Sequence, residues 1–530
     1  MNVHNAISLI AASLILFSQP LVAETGAAAA ASRPAQLQLP KVSAPIPMTK
    51  ESRPFLGAGA AMESVGYVEE EYFLSGEANV YDWPGSDHQV RIVAGPGKYT
   101  TRILVRRPRD PAKFSGNVEL TILNASLNAD FGGPTDFGRM VEQGDVWIGI
   151  TSKPISAKAL KQFDPVRYAA LDWSNPAPPK NRCTQPTIIP TDMIGGNSVL
   201  WTKTVMWLMS ITGKAPSKLE TEDGLVWDML GQLGLLLKSE QRSMILPGFS
   251  KPWIYMTGVS QSSIYIRTWV KAFHDRYRTP DGKPVYDGYL AVVGPALARI
   301  NQCAADVPLV DPAQKLGPPD VPFISLSSEG EMWQARYTHQ PDAFTPRGGI
   351  VTYEVAGASH MAGDIPGRAP GMSAFATNQD MKKAGANGLG NLSEHNYDFA
   401  WSPVIRGAYH NLQLWVRQGI RPPQAPGITL DAKLEVKRDR YGNALGGVRM
   451  PYIEVPVAEH TGYQSAGGMG GIRGTKKPFS PETLKQLYPD HAAYLAKFSA
   501  ATDRFTSERW ISPEDAIAMK MAVNSAQVPR

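Results

Sequence analysis

The first hydrophobic pattern in the chain is an alternation of apolar and polar residues between positions 66 and 108. The segments "GYVEEEYFLSGEANVY" and "YTTRILVRRP" both show it, and the turn-forming sequences "PGSD" and "GPGK" punctuate them. Alternation with a period of two predicts strands with one buried face, and the Pro- and Gly-rich turns predict that neighbouring strands run antiparallel. We therefore expect an antiparallel β-region here.

The second pattern, from residue 117 onwards, consists of short apolar runs separated by helical segments. The runs "NVELTILNAS" (117–126) and "DVWIGITS" (145–152) flank the helix candidate "PTDFGRMVEQG". A strand, a helix and a second strand with short connections form a βαβ unit, which implies parallel strands. The later strand candidates are "WIYMTG", "YDGYLAVVG", "PFISLSS" and "IVTYEVAG". The sequence thus predicts the α/β class, with a mainly parallel sheet.

A long interruption at about 155–245 divides this sheet-forming pattern. It has the size of a cap over a site, although part of it is expected to be a helix that covers the sheet. Its large apolar residues would suit an apolar substrate pocket or, more commonly, core packing. These residues are Trp201, Met206, Trp207, Trp227 and Met229.

The N-terminal sequence "MNVHNAISLIAASLILFSQPLVA" (1–23) has the features of a secretory signal peptide. Its apolar run from Ile7 to Phe17 is too short to span a bilayer, and it leads to the small residue Ala23. An uncleaved anchor is the alternative. The Ala/Pro-rich segment 24–45 predicts a linker, and no later stretch is long and apolar enough for a transmembrane helix. We expect export to the periplasm or the extracellular space, without stable membrane insertion.

Composition and charge exclude several classes of partner. Of the 530 residues, 53 are Lys or Arg and 48 are Asp or Glu, and the two signs are interspersed. Because no basic stripe stands out, we expect no binding of nucleic acid. The sequence has no His-Glu-x-x-His motif and no clustered carboxylates that suggest a metal site, so we expect neither a metal nor another cofactor. These features do not determine the oligomeric state.

The chain contains two cysteines, Cys183 and Cys303. In an oxidising compartment they could form one disulfide that closes a long loop. Two buried free thiols are the alternative, because a sequence does not give the distance between the two side chains. The disulfide is the expectation for an exported protein.

The sequence "GVSQS" (258–262) lies between a predicted strand and a predicted amphipathic helix. It differs by one substitution from the Gly-x-Ser-x-Gly nucleophile elbow, in which a serine occupies a strained strand-to-helix turn. Ser262 replaces the second glycine and is still small, as the close backbone approach in this turn requires. Ser260 is therefore a candidate nucleophile. The alternative is a simple helix N-cap, the common role of a serine at such a junction.

A serine nucleophile needs a histidine to take its proton and a carboxylate to orient that histidine. In α/β-hydrolases the acid and then the histidine follow the serine along the chain, at the ends of later strands. His360 follows "IVTYEVAG", whereas Glu329 and Glu331 follow "PFISLSS". Glu331 lies where the acid usually emerges, so we favour it over Glu329. Taken singly, these residues could be a surface histidine and a surface ion pair, but their order and positions favour a triad.

The oxyanion formed during acyl transfer needs two preorganised N–H donors. One candidate is the backbone N–H of Gln261, at the start of the predicted helix, where the helix dipole also favours negative charge. The second is expected where the strand candidate at 117–126 ends, at Asn124, Ala125 or Ser126. We favour Ala125 or Ser126, with a plain strand exit as the alternative.

Several blocks of the sequence resemble a family of exported bacterial α/β-hydrolase-domain proteins. The blocks include "YVEEEYFLSGEANVY", "TGVSQSS", "AGASHMAG" and "RDRYGNALGGVRMPYIEVPVAEHTGY", and the likeness extends from about Gly66 to the end of the chain. The resemblance implies that Ser260 is the nucleophile, that Glu329 or Glu331 is the acid, and that His360 is the histidine. Family members usually have Asp where this chain has Glu331.

The sequence therefore predicts an α/β-hydrolase domain over residues 46–465, with the cap inserted, and a helical extension at 466–530 packed on the core. We expect a serine hydrolase that cleaves a carboxylic ester of a small-molecule or oligomeric substrate through an acyl-enzyme. A non-catalytic ligand-binding protein on the same scaffold, and an amide or lactone hydrolase with the same triad, are the alternatives. The sequence does not identify the substrate.

Overall fold

The two hydrophobic patterns of the chain form parts of one sheet. The computed structural model describes residues 38–83, 89–132, 137–183, 218–365, 377–386, 399–463, 474–525 and 528. The predicted signal peptide and most of the predicted linker lie outside the described residues. The same applies to Trp201, Met206 and Trp207 of the predicted cap.

The strands of the described residues are β1 (Lys41–Val42), β2 (Tyr67–Asp82), β3 (Arg91–Pro108), β4 (Asn117–Ile122), β5 (Val146–Ile150), β6 (Trp253–Val259), β7 (Gly288–Val292), β8 (Pro322–Ser328), β9 (Ala343–Phe344), β10 (Gly349–Val355), β11 (Ala458–Thr461) and β12 (Thr475–Pro478). The first ten form one sheet in the order β1-β2-β3-β5-β4-β6-β7-β8-β10-β9, and β11 pairs with β12. Strands β4, β5, β6, β7, β8 and β10 are parallel to their neighbours within this set. Strands β1, β2, β3 and β9 join antiparallel. The predicted α/β fold, mainly parallel with an N-terminal antiparallel region, is confirmed.

The helices of the described residues are α1 (Ala60–Ser64), α2 (Phe137–Gln143), α3 (Pro154–Phe163), α4 (Val226–Lys238), α5 (Gln261–Ala272), α6 (Met332–Thr338), α7 (Asn378–Lys383), α8 (Ser402–Gln418), α9 (Pro451–Glu454), α10 (Pro481–Leu487), α11 (His491–Ser507) and α12 (Pro513–Ala522). Helix α5 packs on β6 and β7, and α8 packs on β7 and β8. Every residue of β4, β5, β7 and β8 is buried. Strands covered on both faces favour apolar side chains on both, which explains the continuous apolar runs of β5 and β7, whereas β4 and β8 also bury polar side chains.

Helix α4 belongs to the predicted cap, but it packs on the sheet. Its Asp228 accepts hydrogen bonds from Tyr81 Oη of β2 (2.6 Å) and from the backbone N–H of Asn79 (2.8 Å). Trp227 is buried and its ring stacks on Tyr265 of α5, with the ring centroids 5.1 Å apart. Met229 is also buried. Trp227 and Met229 are therefore core residues, which is the commoner of the two roles considered from the sequence.

The helices near the C-terminus contribute to the main hydrophobic core. Leu484, Phe498 and Met519, from α10, α11 and α12, are buried in the same cluster as Val351 of β10. A short antiparallel pairing of β11 with β12 precedes these helices. The hydrophobic core that packs against β10 therefore includes residues that come more than a hundred positions after this strand in the sequence.

Candidate active site

Ser260 occupies a strained turn between β6 and α5. Its backbone has φ 59° and ψ −120°, a conformation that residues with a side chain rarely adopt. The turn requires small neighbours, because a Cβ on Gly258 would lie 2.8 Å from the Cβ of Ser262. A Cβ on Gly294, in the loop after β7, would lie 2.7 Å from the carbonyl oxygen of Ser260. The substituted elbow motif thus forms the turn that its spacing predicts, with Ser262 as the small residue.

Three side chains that are far apart in the sequence form a continuous hydrogen-bonded chain. Ser260 Oγ lies 2.9 Å from His360 Nε2, and His360 Nδ1 lies 2.5 Å from Glu331 Oε1. The Ser260 side chain does not cap helix α5, so the N-cap alternative does not describe it. The three residues follow β6, β10 and β8, whose carboxyl ends meet at one edge of the sheet, where α/β proteins bind their ligands.

The carboxylate of Glu331 is held in place by a capping box. Glu331 ends a short 3-10 turn, Glu329–Glu331, that directly follows β8. The backbone N–H and the hydroxyl of Ser328 both donate to Glu331 Oε2, at 3.0 and 2.5 Å. The other oxygen, Oε1, is left to face His360. The carboxylate therefore favours the imidazole tautomer with a proton on Nδ1 and an acceptor at Nε2, which is the form that can take a proton from Ser260.

Glu329, the alternative acid, has different partners. Its Oε1 lies 2.7 Å from Nη2 of Arg438, and its Oε2 accepts a hydrogen bond from the backbone N–H of Gly357 at 2.8 Å. The side chain is buried. The structure therefore brings Glu331 to His360, whereas Glu329 pairs with a residue that comes more than a hundred positions later in the chain.

The loop after β4 lies against the elbow. Asn124 Nδ2 donates to the carbonyl oxygen of Val259 at 2.7 Å, and Asn124 Oδ1 accepts the backbone N–H of Ser126, also at 2.7 Å. The N–H of Ser126 is thus already engaged, which makes this residue the weaker oxyanion candidate. Within the described residues, no hydrogen-bond acceptor faces the backbone N–H of Ala125 or of Gln261. These two amides are free to donate to a ligand.

Lys153 is a buried residue beside this site that the sequence analysis did not identify. It lies between β5 and α3, its Nζ is 3.9 Å from the centroid of the Tyr265 ring, and its one hydrogen-bond contact is Ser152 Oγ at 3.4 Å. Within the described residues, no carboxylate lies within ion-pair distance of Nζ. Burial lowers the pKa of Lys153 to about 8, with Asp223 and Asp130 opposing the shift. A lysine at the end of a buried strand was the available sequence signal.

The two cysteines of the chain lie close together in the structure. Cys183 and Cys303 form a disulfide, with their Cα atoms 5.5 Å apart, and this bond links the residues that follow β7 to the predicted cap segment. The described part of the chain contains no group of three or more His, Cys, Asp or Glu side chains that could hold a metal ion. In the same residues, no helix has both the length and the apolar character needed to cross a membrane.

A serine elbow between a strand and a helix of a mainly parallel sheet, with an acid and a histidine after later strands, defines the class of the α/β-hydrolases. The chain belongs to the alpha/beta hydrolase domain family, whose sequence profile matches residues 42–521. The comparison with curated proteins found no match.

Solved structures give only distant similarities. A protein from Klebsiella pneumoniae subsp. pneumoniae MGH 78578, proposed to be a dienelactone hydrolase, is 10% identical, with a TM-score of 0.22 and coverage of 53% of this chain and 85% of that chain. A bacterial esterase is 10% identical, with a TM-score of 0.22 and coverage of 58% and 89%. EstA of Aspergillus niger is 12% identical, with a TM-score of 0.19 and coverage of 43% and 38%. With TM-scores this low, these similarities carry no argument about the substrate.

Proposed function

We propose that the protein is a serine hydrolase that cleaves a carboxylic ester through an acyl-enzyme. The observation that carries this proposal is the unbroken chain from Ser260 Oγ through His360 to Glu331. Such a chain activates a hydroxyl that is otherwise a poor nucleophile at neutral pH. The strained backbone of Ser260 supports the same assignment, because strain of this kind concentrates at functional residues.

The geometry supports a two-step mechanism. His360 Nε2 takes the proton of Ser260 as Oγ attacks the ester carbonyl, and the ring then gives this proton to the departing alcohol. Glu331 stabilises the imidazolium that forms between these events. A water molecule, activated by His360 in the same way, then attacks the acyl-enzyme and releases the acid. Both steps regenerate the starting protonation of the triad.

The proposed oxyanion donors are the backbone N–H groups of Gln261 and Ala125. Gln261 begins helix α5, where the helix dipole favours negative charge. Ala125 is the residue of the loop after β4 whose amide has no partner within the described residues. Each such donor contributes about 3–4 kcal/mol to stabilisation of the transition state in enzymes of this kind.

We further propose that the protein is exported and acts on a small-molecule or oligomeric ester without a cofactor. The features that support export are the apolar N-terminal sequence and the disulfide between Cys183 and Cys303. Cell fractionation followed by N-terminal sequencing tests this part. A mature chain that begins after Ala23 supports export, and an uncleaved chain in the cytoplasm contradicts it.

Labelling with a fluorophosphonate probe tests the catalytic proposal, together with a panel of short aryl esters. We expect the wild-type protein to be labelled and to turn over esters, and Ser260→Ala to do neither. Ser262→Ala is the matched control, because it removes a neighbouring hydroxyl that has no hydrogen-bond partner within the described residues. Absence of both labelling and turnover favours a ligand-binding protein on a hydrolase scaffold. Faster cleavage of anilides or lactones than of matched esters favours the other alternative.

A further inference from the structure

We propose that the ion pair between Glu329 and Arg438, here called the brace, positions His360 for catalysis. The inference rests on the proposed function and deepens it. It assigns residues 428–463, here called the C-terminal arm, a role in positioning the active site. In this account Glu329 is a positioning residue, and the two glutamates after β8 have separate tasks.

Glu329 connects the loops that carry the acid and the histidine. It belongs to the same 3-10 turn as Glu331 and accepts the backbone N–H of Gly357, three residues before His360, at 2.8 Å. The intervening Gly330 donates its own N–H to the carbonyl oxygen of Ala358 at 3.1 Å. In addition to the bond between Glu331 and His360, these two hydrogen bonds join the acid turn to the histidine loop, and one of them depends on the carboxylate of Glu329.

Close backbone contact leaves these two loops little freedom. A Cβ on Gly330 would lie 3.0 Å from the backbone nitrogen of His360 and 2.8 Å from the carbonyl oxygen of Gly462. A Cβ on Gly462 would lie 2.0 Å from the carbonyl oxygen of Ala358. The C-terminal arm thus packs against both loops at the level of the main chain. A small shift of the arm is therefore transmitted to the histidine.

Arg438 is fixed by the arm before it reaches Glu329. Residues 428–446 of the arm form an irregular hairpin, in which Arg438 pairs with Ala444. Arg438 Nη1 donates to the carbonyl oxygen of Gly442 at 3.1 Å, and Nη2 lies 2.7 Å from Glu329 Oε1. The hairpin continues into Val448, which pairs with Val355 at the end of β10. The hairpin that holds the guanidinium of Arg438 is therefore paired with the end of β10, the strand that precedes His360.

The charge of Glu329 makes this arrangement sensitive to Arg438. The Glu329 side chain is 1% exposed, and Arg438 is the basic side chain that lies within ion-pair distance of it in the described part of the chain. A buried carboxylate that loses its partner must move towards water or take up a proton. Either change weakens its bond to Gly357. Glu331 is the charged group that contacts His360 directly. The brace acts on His360 indirectly, through the bond between Glu329 and Gly357.

The test uses Arg438→Met, Arg438→Lys and the double variant Glu329→Gln/Arg438→Met, assayed on an aryl ester. A displacement of a catalytic group by ~1 Å can reduce the rate ~100-fold. We therefore expect Arg438→Met to lower kcat by about 10- to 100-fold with little change in KM. Arg438→Lys, which retains the charge, should recover most of this loss. The double variant should be more active than Arg438→Met, because it no longer contains an unpaired buried carboxylate.

The matched control is Arg336→Met. Arg336 lies on α6, and its Nη1 is 3.4 Å from Oε1 of Glu435, which belongs to the same hairpin. This pair also ties the hairpin to the core, but it is largely exposed at Glu435 and does not touch the histidine loop. We expect kcat to remain near the wild-type value in this variant. Equal losses of kcat in Arg336→Met and Arg438→Met, or wild-type kcat in Arg438→Met, would overturn the proposal.

A second readout does not depend on turnover. The proton between His360 Nδ1 and Glu331 Oε1, which are 2.5 Å apart, should give a far-downfield proton NMR signal. We expect this signal in the wild type and in Arg336→Met, and its loss or broadening in Arg438→Met. If the NMR signal is present in the wild type and lost in Arg438→Met, but the wild type hydrolyses no ester, the proposed function fails and the brace stands. An unchanged signal in Arg438→Met contradicts the brace whatever the turnover.

Discussion

Replacing Lys153 by methionine should stabilise the protein at neutral pH, although it removes a native side chain. Burial lowers the pKa of Lys153 from 10.5 to about 8. A shift of this size corresponds to ~3 kcal/mol, at ~1.4 kcal/mol for each pKa unit. Loss of the contact between the ammonium group and the Tyr265 ring offsets about 1–2 kcal/mol. We therefore expect a net gain of about 1–2 kcal/mol in the free energy of unfolding at about pH 7.

The dependence on pH follows from the direction of the shift. The folded protein binds the proton of Lys153 less tightly than the unfolded chain does, so protonation destabilises the fold. Below the folded-state pKa of about 8 the whole penalty is present. Between this value and 10.5 it declines, and above 10.5 both states are neutral and the penalty disappears. The advantage of Lys153→Met should therefore fall by about 3 kcal/mol as the pH rises through this interval.

Two carboxylates and one helix terminus act on the ammonium group of Lys153. Asp223 and Asp130 both favour the protonated lysine, but burial outweighs them. Asp130 is itself engaged with Arg102 and Thr151. Lys153 also precedes the first turn of α3, where the positive end of the helix dipole disfavours a second positive charge.

Chemical denaturation of the two proteins at several pH values measures this difference. Lys158→Met is the matched control, because Lys158 is an exposed residue of α3, the helix that Lys153 precedes, and its removal changes the net charge equally. The control should match the wild type at every pH. A loss of stability in Lys153→Met at neutral pH, with no dependence on pH, would refute the reasoning, since it would mean that the ammonium group is compensated in the folded protein.

Two further predictions concern the acid and the disulfide. Glu331→Gln should lower kcat by about 100- to 10,000-fold, because the imidazole loses its orienting charge, and Glu329→Gln should lower kcat much less. The reverse order in a steady-state assay would exchange their roles. Replacing Cys183 and Cys303 by serine should lower the free energy of unfolding by about 4–5 kcal/mol, because the loop spans 120 residues. Denaturation midpoints that are the same with and without a reductant would contradict this.

The strands of the sheet could be predicted from the sequence because each depends on a local pattern of apolar and polar residues. The buried strands β5 and β7 appear as continuous apolar runs, and the alternation in β2 and β3 marks strands of the antiparallel region. The elbow was accessible for the same reason, since its glycine, serine and small residue lie within five positions.

The choice between the two glutamates was less secure because they share one turn. Glu329 and Glu331 are two residues apart, and the direction of each side chain depends on partners elsewhere. The capping by Ser328 directs Glu331 to the histidine, whereas Arg438 fixes Glu329. The position of Arg438 depends on a hairpin that follows the last strand of the sheet in the sequence. No local sequence pattern therefore predicts the pairing of Arg438 with Glu329.

Two other features depend on contacts that local sequence does not encode. Ser126 was favoured alongside Ala125, but the side chain of Asn124 occupies its N–H. A backbone amide can be assigned only when the conformation of its loop is known. Apart from its position at the end of a buried strand, nothing in the sequence around Lys153 distinguishes it from an exposed lysine. Its side chain is covered in part by Tyr265, which lies more than a hundred residues later.

The central claim is that Ser260 forms an acyl-enzyme, and mass spectrometry of acid-quenched reactions with an activated aryl ester tests it most directly. The account predicts an acyl adduct on the peptide that contains Ser260, formed within the burst of released phenol and absent from Ser260→Ala. An adduct on another residue, or turnover by Ser260→Ala at the wild-type rate, would contradict the account.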